Sequence, residues 1–141
     1  MPSATESLYS YLDIENFVDY HLLNFYAGNA WDWSATNNWM AGGPSSPNRG
    51  GYKFFCWDSD IIFRNVDDNN LGRVGPGNLL ADLMNDGEFR VLFMDRIRKH
   101  FFENGVLTPS RVQTVYNSRA DAIRSTVLAE TARWQSGVEW T

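Results

Sequence analysis

Carboxylate and amide side chains that could bind a divalent cation are concentrated between residues 29 and 63. They are Asn29, Asp32, Asn37 and Asn38 before a predicted hairpin, and Asp58 and Asp60 after it. Carboxylates neutralise a hard cation, amide oxygens add ligands without further charge, and water completes the coordination. We therefore expect these groups to converge at one edge of a small sheet, where they could hold a metal ion and a phosphate.

The order of these residues is that of a phosphate-transfer site. Protein kinases place a catalytic Asp first, an Asn about five residues later and a metal-binding Asp after the next short strands. In this order Asp32 would accept or orient the proton of a substrate hydroxyl, and Asn37 and Asn38 could supply an amide oxygen to the metal. The alternative for all three residues is turn formation, in which Asp and Asn are common.

The two carboxylates after the hairpin form a pair. Asp58 and Asp60 flank Ser59 at the end of an apolar segment that predicts a strand. Alternation would put both carboxylates on one face if the strand continued. Like charges on one face repel each other unless a cation or an arginine lies between them. The neighbouring Phe54, Phe55 and Trp57 predict a buried approach to the pair, and the alternative is a solvated strand end.

Composition indicates a folded domain without nucleic-acid or membrane character. The 141 residues fit one domain or part of a larger one, and 43% of them are hydrophobic. The formal net charge of -5 comes without a basic stripe, which argues against a nucleic-acid partner. No run of about 18 apolar residues occurs, so no membrane span is predicted. Cys56 is the single cysteine, which excludes an intrachain disulfide and leaves the compartment open.

A helix is predicted before the acidic segment. Asp13 is its candidate N-cap, and it ends near Gly28. Its apolar face consists of Ile14, Phe17, Val18, Leu22 and Phe25. His21 lies outside that face, which predicts a polar-face or supporting position rather than a metal ligand.

The rest of the chain is predicted to contain a hairpin and three helices. The hairpin strands are residues 38–41 and 52–57, and residues 61–63 form another short strand or an extended segment. Asn78 and Asp86 are candidate N-caps of a short and a longer helix, and Thr108 followed by Pro109 starts the last one. The fold class is therefore α+β, mostly helical, with one small antiparallel hairpin.

Over nearly its whole length the sequence resembles the CotH kinase family, which is named after spore-coat protein H. The segments that carry the resemblance are FVDYHLLNFYAGN at residues 17–29, WDW at 31–33, NNW at 37–39 and YKFFCWDSDIIF at 52–63. It continues at residues 88–90, 98–102, 107–109 and 132–134. The Trp-Asp-x-Asp segment at residues 57–60, with the Asn-rich loop before it, is its most specific part.

The resemblance implies a C-lobe-like portion of an atypical protein-kinase fold, with residues 1–141 as a single partial domain that lacks the N-terminal lobe. The activity implied is transfer of phosphate from ATP to a protein serine, with Mg²⁺ or Mn²⁺. The family usually has proline where Cys56 stands. Its phosphate-binding lysine has no counterpart before Ser10, so this chain alone is predicted to transfer little or no phosphate. The resemblance is compatible with a spore, cell-surface or secreted location.

The resemblance also implies roles for individual residues. Asp32 would be the catalytic residue, Asp58 the metal-binding residue and Asp60 a supporting carboxylate. Counting from Asp32 with kinase spacing selects Asn37 as the amide ligand, whereas anchoring on the tryptophan that follows selects Asn38. Both remain candidates, and no nucleotide-binding residue is assigned.

Two other functions are compatible with the same residues. A non-enzymatic surface or adhesion module could use an aromatic face made of Trp31, Trp33, Trp39 and Tyr52. A metal-dependent hydrolase could use the two carboxylates after the hairpin for a metal and Asp32 as base, but it lacks the histidine ligands usual in such sites.

Overall fold

The computed structural model describes residues 9–29, 32–35, 37–44 and 50–134. Its helices are α1 (Ile14–Tyr26), a short 3-10 helix (Asp32–Ser34), α2 (Leu79–Leu83), α3 (Gly87–Phe101) and α4 (Pro109–Trp134). The strands β1 (Trp39–Gly42) and β2 (Lys53–Cys56) form a two-stranded antiparallel sheet. The described residues are thus mostly helical with one hairpin, which confirms the predicted α+β class. The chain divides into two compact units between Arg98 and Lys99, and α4 belongs to the second.

Helix α1 begins and ends where local signals predict. The Asp13 carboxylate accepts a hydrogen bond from the backbone N–H of Asn16 at 3.0 Å, as expected of an N-cap. Gly28 follows the helix with φ of 59°, a left-handed conformation that glycine adopts without strain. Asn16 also fixes the helix to β2, because its side chain accepts from the N–H of Phe54 at 2.6 Å and donates to the Phe54 carbonyl at 3.2 Å.

The hairpin lies close to its predicted position. Trp39 pairs with Cys56 and Gly42 with Lys53, so each strand differs from its predicted bounds by one residue at either end. The predicted turn covers residues 42–51, of which 45–49 lie outside the described residues. Residues 61–63 do not form a strand, and Phe63 is not extended: its φ is 53°, and its N–H donates to the carbonyl of Ala27 at 2.8 Å.

The three later helices also start as predicted. Asn78 occupies the N-cap of α2, although its side chain makes no capping hydrogen bond. The Asp86 carboxylate caps α3 by accepting from the N–H groups of Glu88 and Phe89 at 2.8 and 3.0 Å. Pro109 is the first residue of α4, where a missing N–H is tolerated. No described helix combines the length and apolar character needed to cross a bilayer.

A buried arginine joins α3 to α1 within the first unit. Arg96 is 8% exposed. Its Nε donates to one carboxylate oxygen of Asp19 at 2.8 Å, a second nitrogen pairs with the other oxygen of Asp19, and a third pairs with Glu15. The guanidinium of Arg96 therefore links the two helices through charge-assisted hydrogen bonds.

Candidate functional site

The loop before β1 and the turn after β2 meet at one end of the hairpin. The backbone N–H of Trp57 donates to the carbonyl of Asn38 at 3.3 Å. This bond continues the ladder by one step beyond the pair of Trp39 and Cys56. Asp58 is the residue after Trp57. The chain therefore enters the sheet at Asn38 and leaves it at Asp58 at the same end, which brings these two predicted site residues together.

Both of these residues have left-handed backbones. The φ of Asn38 is 58° and that of Asp58 is 51°. Asn and Asp tolerate this conformation better than other residues with a Cβ, so the residue types fit the turns. Because Asp58 turns the chain out of the strand, the predicted alternation of Asp58 with Asp60 on one strand face is wrong. Asp58 and Asp60 are both exposed.

Two aromatic residues near this pair are exposed as well. Phe55 is 51% exposed and Trp57 is 60% exposed. Phe54 is half-buried and stacks on Trp39. The predicted buried approach to Asp58 is therefore wrong for Phe55 and Trp57.

Trp39 closes the loop that contains Asn37 and Asn38. Its indole N–H donates to the carbonyl of Ala35 at 3.2 Å, and its ring stacks on Phe54 with centroids 5.6 Å apart. The indole thus spans the loop, and Asn37 is exposed within it.

Asp32 begins the 3-10 helix, whose backbone is anchored by the next residue. Trp33 has no exposed surface. The hydroxyl of Tyr20 donates to the carbonyl of Trp33 at 2.5 Å, and the indole N–H of Trp33 donates to the carbonyl of Asn29 at 3.0 Å. The 3-10 helix also contacts β1. A buried tryptophan therefore sets the backbone position of Asp32 relative to α1.

Asn29 is a structural residue. It is 3% exposed, and its amide donates to the side-chain oxygen of Asn24 at 2.9 Å. Asn24 in turn donates to the Cys56 sulfur at 3.4 Å and to the carbonyl of Tyr20 at 2.8 Å. Burial raises the pKa of the Cys56 thiol. This polar chain ties the end of α1 to β2, so the expectation that Asn29 faces a metal is wrong.

The polar-face position predicted for His21 is wrong, whereas the alternative of a supporting position is not contradicted. His21 has no exposed surface and lies among the rings of Phe17, Phe25 and Trp33, with centroids 4.4, 6.0 and 5.6 Å away. Burial lowers the pKa of its imidazole. The spacing of Phe17, His21 and Phe25, each four residues apart, was the signal that places all three on one helix face.

The side-chain oxygens at the hairpin end are of the types that bind a hard cation. They are carboxylate and amide oxygens from Asp58, Asp60 and Asn38, the ligand types that Mg²⁺ prefers. The hydroxyl oxygen of Ser59 is buried and has no hydrogen-bond partner within the described ranges, which leaves one further oxygen beside the two carboxylates. Within those ranges, no three His, Cys, Asp or Glu side chains form a metal-binding group. Magnesium bound with a nucleotide commonly takes only one or two protein carboxylates together with phosphate oxygens.

A family model described as CotH kinase protein matches residues 2–140. The chain is therefore an atypical kinase-like protein. It belongs to the CotH kinase family. No match was found among curated proteins or among solved structures.

The aromatic face expected of an adhesion module is not formed as predicted. Trp33, the middle residue of the 3-10 helix, is fully buried. Trp39 is half-buried against Phe54, and Trp31 lies outside the described residues. Of the four predicted residues, Tyr52 is exposed, at 48%.

Proposed function

We propose that the chain is the C-lobe-like part of a CotH-type atypical protein kinase that transfers phosphate from ATP to a protein serine. Family membership supports the class of reaction. The hydrogen bond from Trp57 to Asn38 is the observation that supports the position of the site. It brings an amide-bearing loop and an acidic turn to one end of the hairpin, the order in which kinases use these groups.

In this proposal Asp58 and Asn38 hold Mg²⁺ or Mn²⁺, and Asp60 is a supporting carboxylate. Asn38 is chosen over Asn37 because its backbone bonds directly to the residue before Asp58. The cation would neutralise charge on the phosphate being transferred. Asp32 would orient the serine hydroxyl and accept its proton. Positioning and charge neutralisation supply most of the rate in such a reaction.

Titration with Mn²⁺ in the presence of ATP tests the proposed metal site. Paramagnetic resonance measures the free ion, and a blank with ATP alone accounts for the Mn²⁺ that the nucleotide itself binds. No enzymatic turnover is required. Asp58→Asn removes one carboxylate but keeps a residue that tolerates the left-handed backbone, so the fold should be retained. We expect the affinity for Mn²⁺ with ATP to fall by roughly tenfold or more, a loss that even groups supporting a metal ligand can cause.

Two controls separate the site from general charge effects. Asp67→Asn makes the same charge change at an exposed loop residue and should leave the affinity unchanged. Asn38→Gly should weaken binding, whereas Asn37→Gly should not. Absence of Mn²⁺ binding with ATP to the wild-type chain would refute the proposal, and so would an equal loss of affinity in Asp58→Asn and Asp67→Asn.

A further inference from the structure

His21 lies between two backbone carbonyl groups. Its Nδ1 is 2.9 Å from the carbonyl oxygen of Phe17, and its Nε2 is 2.7 Å from that of Gly75. A neutral imidazole carries one N–H and can donate to only one of them. The position of the ring proton therefore decides which carbonyl is bonded.

The surroundings of the two carbonyls favour a proton on Nε2. Phe17 lies within α1, where its carbonyl is the regular acceptor for the backbone N–H four residues later. Gly75 is buried and belongs to no helix or strand, so regular secondary structure supplies no partner for its carbonyl. A buried carbonyl without a partner is unfavourable, and Nε2 is also the closer of the two ring nitrogens.

The turn that contains Gly75 packs closely against the 3-10 helix. A Cβ atom at Gly75 would overlap the carbonyl group of Ser34, the last residue of that helix. The preceding residue of that helix, Trp33, is bonded to Tyr20, the neighbour of His21 in α1. Two consecutive residues of α1 thus hold the 3-10 helix, one directly and one through the turn.

We propose that His21 is a positioning residue whose Nε2–H, by donating to the Gly75 carbonyl, holds residues 74–77 against the 3-10 helix that begins at Asp32. This inference rests on the proposed function only in taking Asp32 as the catalytic group. The imidazole touches neither substrate nor metal in this role. It acts through the turn and through the backbone of Ser34.

Nitrogen-15 spectra of the histidine rings in the wild-type chain provide the first test. A protonated and a bare ring nitrogen have well-separated ¹⁵N shifts, so the tautomer is read directly. The signals of His21 are assigned by their loss in His21→Gln. We expect the proton on Nε2, and a proton on Nδ1 alone would overturn the inference.

Two amide variants provide the second test. Gln places its amide nitrogen near the position of Nε2, so His21→Gln can still donate to Gly75. Asn reaches only the position of Nδ1, so His21→Asn cannot. We expect the indole N–H of Trp33, which donates to Asn29, to exchange with solvent roughly tenfold faster in His21→Asn and at a near wild-type rate in His21→Gln.

Equal exchange rates in the two variants would refute a positioning role. If His21→Asn fails to fold, the wild-type tautomer and the exchange rate in His21→Gln still decide the question. Failure of the chain to bind Mn²⁺ with ATP would refute the proposed function and would not change either of these measurements.

Discussion

Replacing Arg96 with methionine removes the ion pairs between α3 and α1 while keeping an unbranched apolar side chain in the same space. The arginine side chain is 9% exposed, whereas those of Asp19 and Glu15 are 35% and 61% exposed. Breaking a fully buried pair costs about 3–5 kcal/mol, largely because the remaining charge is left without solvent. Since water can reach both carboxylates here, we expect a smaller loss, about 2–3 kcal/mol.

The loss should be visible in thermal unfolding followed by circular dichroism. For a chain of this size, each kcal/mol lowers Tm by about 3–4 °C, so Arg96→Met should unfold about 6–12 °C below wild type. The Tm of Arg96→Lys should lie between those of wild type and Arg96→Met, because lysine keeps the charge but cannot form the bidentate contact with Asp19.

Arg124→Met is the matched control. Arg124 pairs with Asp121 at 2.9 Å, but the two side chains are 64% and 68% exposed. Such a pair contributes about 0–1 kcal/mol. If Arg96→Met loses no more stability than Arg124→Met, the reasoning about burial is refuted.

Two further outcomes concern the support of the 3-10 helix. Burial lowers the pKa of His21 in the folded chain. Below about pH 6.5 the unfolded chain therefore takes up a proton on His21 that the folded chain disfavours. The stability that His21 contributes is thus present above that pH and is lost as the pH falls. The free energy of urea unfolding of wild type minus that of His21→Gln should therefore be smaller at about pH 5.5 than at about pH 7.5, and an unchanged difference would contradict the burial of a neutral ring. Gly75→Ala should destabilise by about 1–3 kcal/mol because its Cβ overlaps Ser34. Gly72→Ala, whose Cβ meets no atom within 4 Å, should be neutral in the same urea assay, and equal effects would show that the turn can move away.

The elements of the fold were predictable where their boundaries are local. The caps at Asp13 and Asp86 and the Thr108–Pro109 start depend on side chains within three residues of the backbone groups they serve. The hairpin was predictable because two apolar segments flank a glycine-rich turn. Each of these signals is complete within a short window of sequence.

The errors concern residues whose surroundings come from distant parts of the chain. His21 is buried because Trp33 and Gly75 cover its ring, and neither is visible from the period of α1. Asp58 leaves the strand through a left-handed backbone, which strand alternation does not anticipate. The candidate site residues were named from spacing and resemblance, and only the contact at Asn38 and Trp57 bears on their geometry.

The half-buried thiol of Cys56 has a practical consequence. Thiolate is the form that reacts with maleimides and oxidants, and burial raises the pKa of this thiol. At neutral pH the single cysteine should therefore be a poor nucleophile. A new cysteine introduced on the exposed surface of α4 should react with a maleimide fluorophore before Cys56 does. This would give a singly labelled protein without removal of the native cysteine.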